Sequence, residues 1–223
     1  MIKGYCYTLN DAVKPPYFRE DFFMRNSQTK KLVEISILVA LAFVLDYLSS
    51  IYSGWFWPFG GSISFSLVPL ALIAFRYGWV AGFMGGFAMG LLQLLTGAYI
   101  LHPVQVLFDY PLPFAALGFA GFFSSKVNNP QGKSRTLYIW LATGIASIAR
   151  YACHVISGAV FFAPSTGENA WVYSLGYNAP YVLLSYVLSA VVLVILYQRY
   201  SEQLVLKSSK KDRESVNQTM KTI

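Results

Sequence analysis

Three ionisable side chains stand alone inside long apolar stretches of this sequence: Asp46, Asp109 and His154. An ionisable group in hydrocarbon is costly, so by default it marks a binding site or a pathway with a partner nearby. The residues around these three narrow the chemistry. Trp55, Trp57, Tyr99, Trp171, Tyr173, Tyr177 and Asn178 fall in three connections that contain no Lys or Arg, 53–62, 99–103 and 164–178. Carboxylates among aromatic faces in a water-poor setting suit an organic cation, which is attracted both by negative charge and by the ring quadrupole. Arg150 and His154 are four apart and share one helix face. Catalysis has less support. Cys153 and His154 are adjacent, so on a helix their side chains diverge by about 100° and form no dyad. The only two histidines, His102 and His154, with few carboxylates, make no metal set. No serine sits in a nucleophile motif.

Blander readings exist for most of these residues. Trp and Tyr gather at membrane interfaces, so each aromatic alone reads as belt. A lone histidine reads as packing, Asp46 as a carboxylate near enough to the interface to be wet, and Arg150 as the structural partner of a carboxylate. Asp109 resists such a reading. Leu107, Phe108 and Tyr110 surround it, and Pro111 and Pro113 follow. Two prolines weaken the helix and free backbone carbonyls, which suits a cavity.

The elements that must position these residues follow from composition. Of 223 residues 56% are hydrophobic, 17% aromatic and only 12% charged, against about 25% charged in a soluble domain. The chain reads as an all-α, polytopic membrane protein with no room for a second sizeable domain. A span needs about 20 apolar residues. Helices are predicted near 32–52, 63–78, 79–98, 104–125, 137–163 and 179–200, with Arg76-Tyr77-Gly78 as a very tight turn between the second and third. The net charge of +7 comes from Lys and Arg that flank these segments, at Lys30, Lys31, Arg76, Lys126, Lys133, Arg135 and from Arg199 through Arg213. That distribution argues for membrane topology, not for nucleic acid. By the positive-inside rule both termini are cytoplasmic, giving a six-transmembrane-helix bundle, N-in and C-in, in a multi-pass arrangement.

Residues 1–30 read as a polar N-terminal extension, 31–200 as the membrane domain and 201–223 as a basic cytoplasmic tail. Met24 makes residues 1–23 readable as an upstream extension or a misassigned start, and no apolar signal-peptide region is present there. Cys6 and Cys153 give no disulfide framework. No phosphate-binding loop and no inverted repeat is visible, so energy for any transport comes from elsewhere. Small residues four apart allow close helix approach. Gly82, Gly86 and Gly90 read as internal packing; Ser36 and Ala40, with Ala42 beside them, can offer a smooth face to a partner.

At these residues the sequence resembles the thiamine-specific substrate-binding subunit (S component, ThiT family) of energy-coupling factor (ECF) vitamin transporters, from about Lys31 to Arg199. The likeness is carried by Gly54-Trp55-Phe56-Trp57-Pro58, by Tyr99-Ile100-Leu101-His102-Pro103-Val104-Gln105 running on to Asp109-Tyr110, by Arg150-Tyr151-Ala152-Cys153-His154-Val155-Ile156-Ser157-Gly158, and by Trp171-Val172-Tyr173-Ser174-Leu175-Gly176-Tyr177-Asn178. The resemblance implies a six-helix bundle in the bacterial cell membrane with an outward-facing vitamin pocket. Trp55 and Tyr99 would wall it. Asp109 stands where the family often has Glu, followed by the matching Tyr110. His154, Gly158, Tyr173 and Asn178 keep the family spacing, and Phe162 stands where a Trp that stacks on the ligand is expected. Ser36 and Ala40 fall where the family has two alanines facing its coupling subunit. Thiamine is implied as ligand, not cofactor, and no cofactor is expected. A carboxylate and the Asn178 amide can read the aminopyrimidine edge by paired hydrogen bonds. The implied partners are thiamine, a transmembrane coupling subunit, two ATPases and membrane lipid. The rival readings are an S component for riboflavin or a thiamine precursor, a stand-alone proton-coupled carrier using Asp46, Asp109 and His154, and a small intramembrane enzyme.

Overall fold

The computed structural model describes residues 16–58, 60–129, 134–162 and 167–205. The tail from residue 206, including Lys207, Lys210, Lys211 and Arg213, lies outside them, as do Cys6 and Lys133. Among the described residues the ordered elements are all helical. They run α1 (Pro16–Ser53), α2 (Leu67–Tyr77), α3 (Trp79–Gln93), α4 (Pro103–Asp109), α5 (Pro111–Ala116), α6 (Ser124–Val127), α7 (Arg135–Phe161) and α8 (Ala170–Leu204). Short 3-10 turns occupy Gly54–Phe56, Leu94–Thr96 and Leu117–Phe123. Among the described residues five segments are long and apolar enough to cross a membrane, and α2 is a shorter apolar helix. The α2–α3 turn is as tight as the sequence suggests. Gly78 adopts φ 85° and its N–H caps α2 on the Ala74 carbonyl at 3.0 Å, a backbone conformation that favours glycine.

Three of the predicted spans need correction. The second does not start at 63. Its helix begins at Leu67, and 11 residues reach only about 16 Å of a hydrocarbon core of about 30 Å. The rest of that path has no regular secondary structure, with Ser62, Ser64 and Ser66 buried and Ile63 and Phe65 between them half-buried. Non-helical backbone at membrane depth must find partners in the protein. Here side chains supply them. The Tyr52 hydroxyl donates to the Ile63 carbonyl, and the Ile63 N–H donates to Ser53 Oγ at 2.9 Å. The Ser64 N–H donates to Ser185 Oγ at 2.8 Å, and the Tyr177 hydroxyl reaches the Gly60 carbonyl at 3.1 Å.

The fourth span is broken. α4 ends at Asp109, Tyr110 leaves helical geometry (φ −117°, ψ −78°), and Pro111 starts α5, which is how two prolines in three residues act. The broken span packs on the glycine stripe of α3. A Cβ on Gly82 would lie 2.9 Å from Gly118 Cα, and one on Gly90 would lie 2.6 Å from Pro111 Cα. Those glycines are internal packing, and they let backbone meet backbone where the fourth span lacks regular side-chain ridges.

The last span starts nine residues before its predicted beginning. Asn169 caps α8, its side chain accepting from the N–H groups of Trp171 (2.9 Å) and Val172 (3.3 Å). Trp171, Tyr173, Tyr177 and Asn178 therefore ride on a helix and not on a loop. At the opposite end of the bundle Arg76 pairs with Glu34 at 2.8 Å and donates to the carbonyls of Gln203 (2.8 Å) and Leu204 (3.1 Å). This cation closes orphan carbonyls of α8 and ties α1, α2 and α8 together.

Candidate functional site

α1, the connection around Trp57, Pro58 and Gly60–Ser62, the end of α3, the α4–α5 break, α7 and α8 converge on one cavity of about 460 Å³, within the range of small-molecule sites. All three isolated ionisable residues line it, and Arg150 with them. So do Tyr99, Asp109, Tyr110, His154, Gly158, Phe162, Tyr173 and Asn178.

The helix break places Asp109 and holds it open to the cavity. Its Oδ2 accepts from the Gln105 side-chain amide at 2.6 Å, one turn earlier on α4. Gln105 is 1% exposed and uses its remaining capacity on the neighbouring connection, accepting from the Leu101 N–H (3.0 Å) and donating to the Tyr99 carbonyl (3.1 Å). The Tyr99 N–H in turn donates to the Tyr110 hydroxyl at 2.9 Å. One buried glutamine thus fixes both the carboxylate and the backbone that presents the Tyr99 ring. On the other side, His154 Nδ1 lies 3.7 Å from Asp109 Oδ1. Arg150 Nε donates to His154 Nε2 at 3.4 Å, so Nε2 is the unprotonated nitrogen and the ring proton sits on Nδ1, facing Asp109. The Arg150 guanidinium lies 4.6 Å over the Phe114 ring. Among the described residues it contacts no carboxylate directly; it acts on Asp109 through the imidazole, which corrects the reading of Arg150 as a simple ion-pair partner.

Aromatic rings form the remaining walls. Tyr99 and Phe162 meet with centroids 5.8 Å apart, and Tyr173 stacks on Tyr177 at 5.9 Å. The position expected of Trp55 is taken by Trp57. Trp55 is 72% exposed, stacks on Phe56 at 4.1 Å and donates its indole N–H to the Tyr52 carbonyl at 2.9 Å, which holds it outside the cavity. Trp57 lines the cavity and meets Tyr181 edge-on at 5.6 Å. Gly158 serves close packing as well as lining: a Cβ there would run into the Ser174 hydroxyl, which would have to move. His102 is structural, its Nδ1 capping α4 on the Val104 N–H at 3.2 Å and its ring stacked on Phe161.

Asn178 is more engaged than its sequence reading allows. Its amide nitrogen donates to the Ser174 carbonyl (2.9 Å) and hydroxyl (3.2 Å), and its oxygen accepts the Tyr181 hydroxyl at 2.5 Å. A carbonyl oxygen has two lone pairs, so Asn178 keeps one acceptor site and no free donor. Gln105 and Tyr181 also line the cavity, and the sequence reading passed over them. Gln105 stands at i−4 from Asp109, and that spacing is the signal that could have found it. Ser36 and Ala40 are not in the cavity. Both are exposed on α1, beside exposed Val33, Ile37 and Val44.

With this geometry in view, the comparisons with known proteins are consistent. Residues 32–205 match the family described as "Thiamine transporter protein (Thia_YuaJ)". The chain is 41% identical over 195 residues to "Thiamine transporter ThiT" of Bacillus subtilis (strain 168), covering 83% of this chain and 98% of that relative. The solved structure of ThiT from Listeria monocytogenes superposes with a TM-score of 0.72 at 29% identity, covering 81% of this chain and 100% of that one. The S component of a bacterial ECF transporter shares the fold, with a TM-score of 0.52 at 24% identity over 79% of this chain and 98% of that one. The chain therefore belongs to the thiamine transporter protein family, whose members are multi-pass bacterial membrane transport proteins and not enzymes.

Proposed function

We propose that this protein captures thiamine in the cavity and, as the S component of an ECF-type transporter, delivers it inward with a separate coupling module of one transmembrane subunit and two ATPases. The observation that carries the reading is the Asp109 constellation: a carboxylate held by Gln105, faced by the His154 N–H, and enclosed by aromatic walls. The carboxylate accepts from the exocyclic amine of the aminopyrimidine, and the remaining lone pair of Asn178 offers one more acceptor. Ring faces hold the flat heterocycles, with cation–π attraction for the thiazolium. The cavity opens at the end whose connections contain no Lys or Arg, which supports an outward-facing site.

The test is a calorimetric and fluorescence titration of the detergent-purified protein with thiamine. Saturable 1:1 binding with quenching of tryptophan emission is expected, since Trp57 lines the cavity. A folded sample that neither binds nor quenches would remove the thiamine reading. A second measurement bears on the wall: Phe162→Trp is expected to keep or improve affinity, because Trp presents the best face to a cation. Clearly weaker binding with intact thermal stability would mean that Phe162 turns away from the ligand.

A further inference from the structure

Asp46 is the cavity carboxylate that this constellation leaves unused. It projects from α1, is 7% exposed, and lines the same cavity as Asp109. Neutral donors hold its two oxygens: the Ser66 hydroxyl at 3.1 Å from Oδ1, and the Gln93 side-chain amide on Oδ2. Among the described residues no Lys, Arg or His nitrogen lies within 4.0 Å of it. Asp109 differs, because it has His154 beside it and Arg150 behind that imidazole. A buried carboxylate with only neutral partners is costly unless a cation arrives to pair with it. The charge balance of the cavity lining makes the same point. Its charged groups are Asp46, Asp109 and Arg150, with His154 neutral in the tautomer set by Arg150. Two carboxylates against one guanidinium leave one negative charge over, and a ligand bearing one fixed positive charge neutralises it.

We infer that Asp46, presented by Ser66 and Gln93, is the counter-charge for the cationic ring of the ligand and the residue that selects a cation over a neutral isostere. The inference rests on the thiamine reading and assigns its two ends: the aminopyrimidine to Asp109 and the thiazolium to Asp46. It is tested by titrating the wild type, Asp46→Asn and Asp109→Asn with thiamine and with its neutral thiophene isostere, in which carbon replaces the charged ring nitrogen. The wild type is expected to prefer thiamine by roughly tenfold or more, the scale of a charge-assisted contact in a dry site. Asp46→Asn should bring the two ligands to within about threefold of each other, chiefly by weakening thiamine. Asp109→Asn should weaken both ligands together. Loss of both ligands in equal measure on Asp46→Asn, or an unchanged preference, overturns the inference while leaving thiamine binding by the wild type intact. Failure of the wild type to bind thiamine would instead strike the reading beneath it. If Asp46→Asn does not fold, Gln93→Met decides. Removing a neutral donor leaves the carboxylate in greater need of a cation, so the preference for thiamine should widen, and a constant or narrowed preference overturns the assignment.

Discussion

Replacing Asp109 by asparagine is expected to weaken thiamine binding at least tenfold with little change in fold. Asparagine has the same shape and can still accept from Gln105, which donates to Asp109 Oδ2 at 2.6 Å, so the scaffold around Tyr99 and Leu101 has no reason to move. What disappears is the charge. A hydrogen bond to a charged group contributes roughly 1.5–3 kcal/mol net, and about 1.4 kcal/mol is a factor of ten in affinity. The helix break contributes to the size of the effect. Because α4 ends at Asp109, the carboxylate sits on the last turn of a helix at the edge of the cavity. Isothermal titration of the variant checks the expectation. Near-native affinity would mean that Asp109 exists to hold Gln105 and the Tyr99 connection, not the ligand.

The second large effect lies further along α1, beyond the residues that line the cavity. Ala40→Trp is expected to abolish uptake in cells while purified protein still binds thiamine nearly as tightly as the wild type. Ala40 and Ser36 are exposed one turn apart, and Ala40 is not among the residues that line the cavity. It stands six residues before Asp46, about 9 Å along the helix. An indole added there lies below the cavity on the exposed surface of the helix and prevents the close approach that small residues permit. Co-purification of the coupling subunit should be lost together with uptake. Loss of thiamine binding would instead place this face in internal packing, and unchanged uptake would place it against lipid.

How much of this was legible in the sequence depends on which physical signal each residue carried. Asp46, Asp109 and His154 stood out because an ionisable group in an apolar run has few explanations, and the structure brings all three to one cavity. Trp55 and Trp57 could not be told apart, since two tryptophans flanking one phenylalanine carry the same composition signal. Only the 3-10 turn at Gly54–Phe56 and the indole bond to Tyr52 decide which faces the cavity. The start of α8 was obscured by polar aromatics, Gly176 and Pro180, although Asn169 as a cap was available as a signal. The second span misled for a different reason. The run through Ser62, Ile63, Ser64, Phe65 and Ser66 is apolar enough to pass as helix, yet it alternates with period two, the mark of extended chain. Small hydroxyls on the buried face were the clue, because they are what non-helical backbone needs when no strand lies beside it.

That non-helical stretch has a consequence for how the molecule breathes. Its backbone is secured by hydroxyls of Ser53, Ser185, Tyr52 and Tyr177, each bond worth about 0.5–1.5 kcal/mol net, and not by the cooperative ladder of a helix. α3 and the fourth span, locked glycine to backbone, open only with the whole bundle. Residues 60–64 open for the cost of a few separate contacts. The protein thus has two tiers of local stability, a rigid tier of interlocked helices and a looser tier along one flank of the cavity. Local opening is therefore expected first in the looser tier, on the flank where Trp57 and Asp46 both stand.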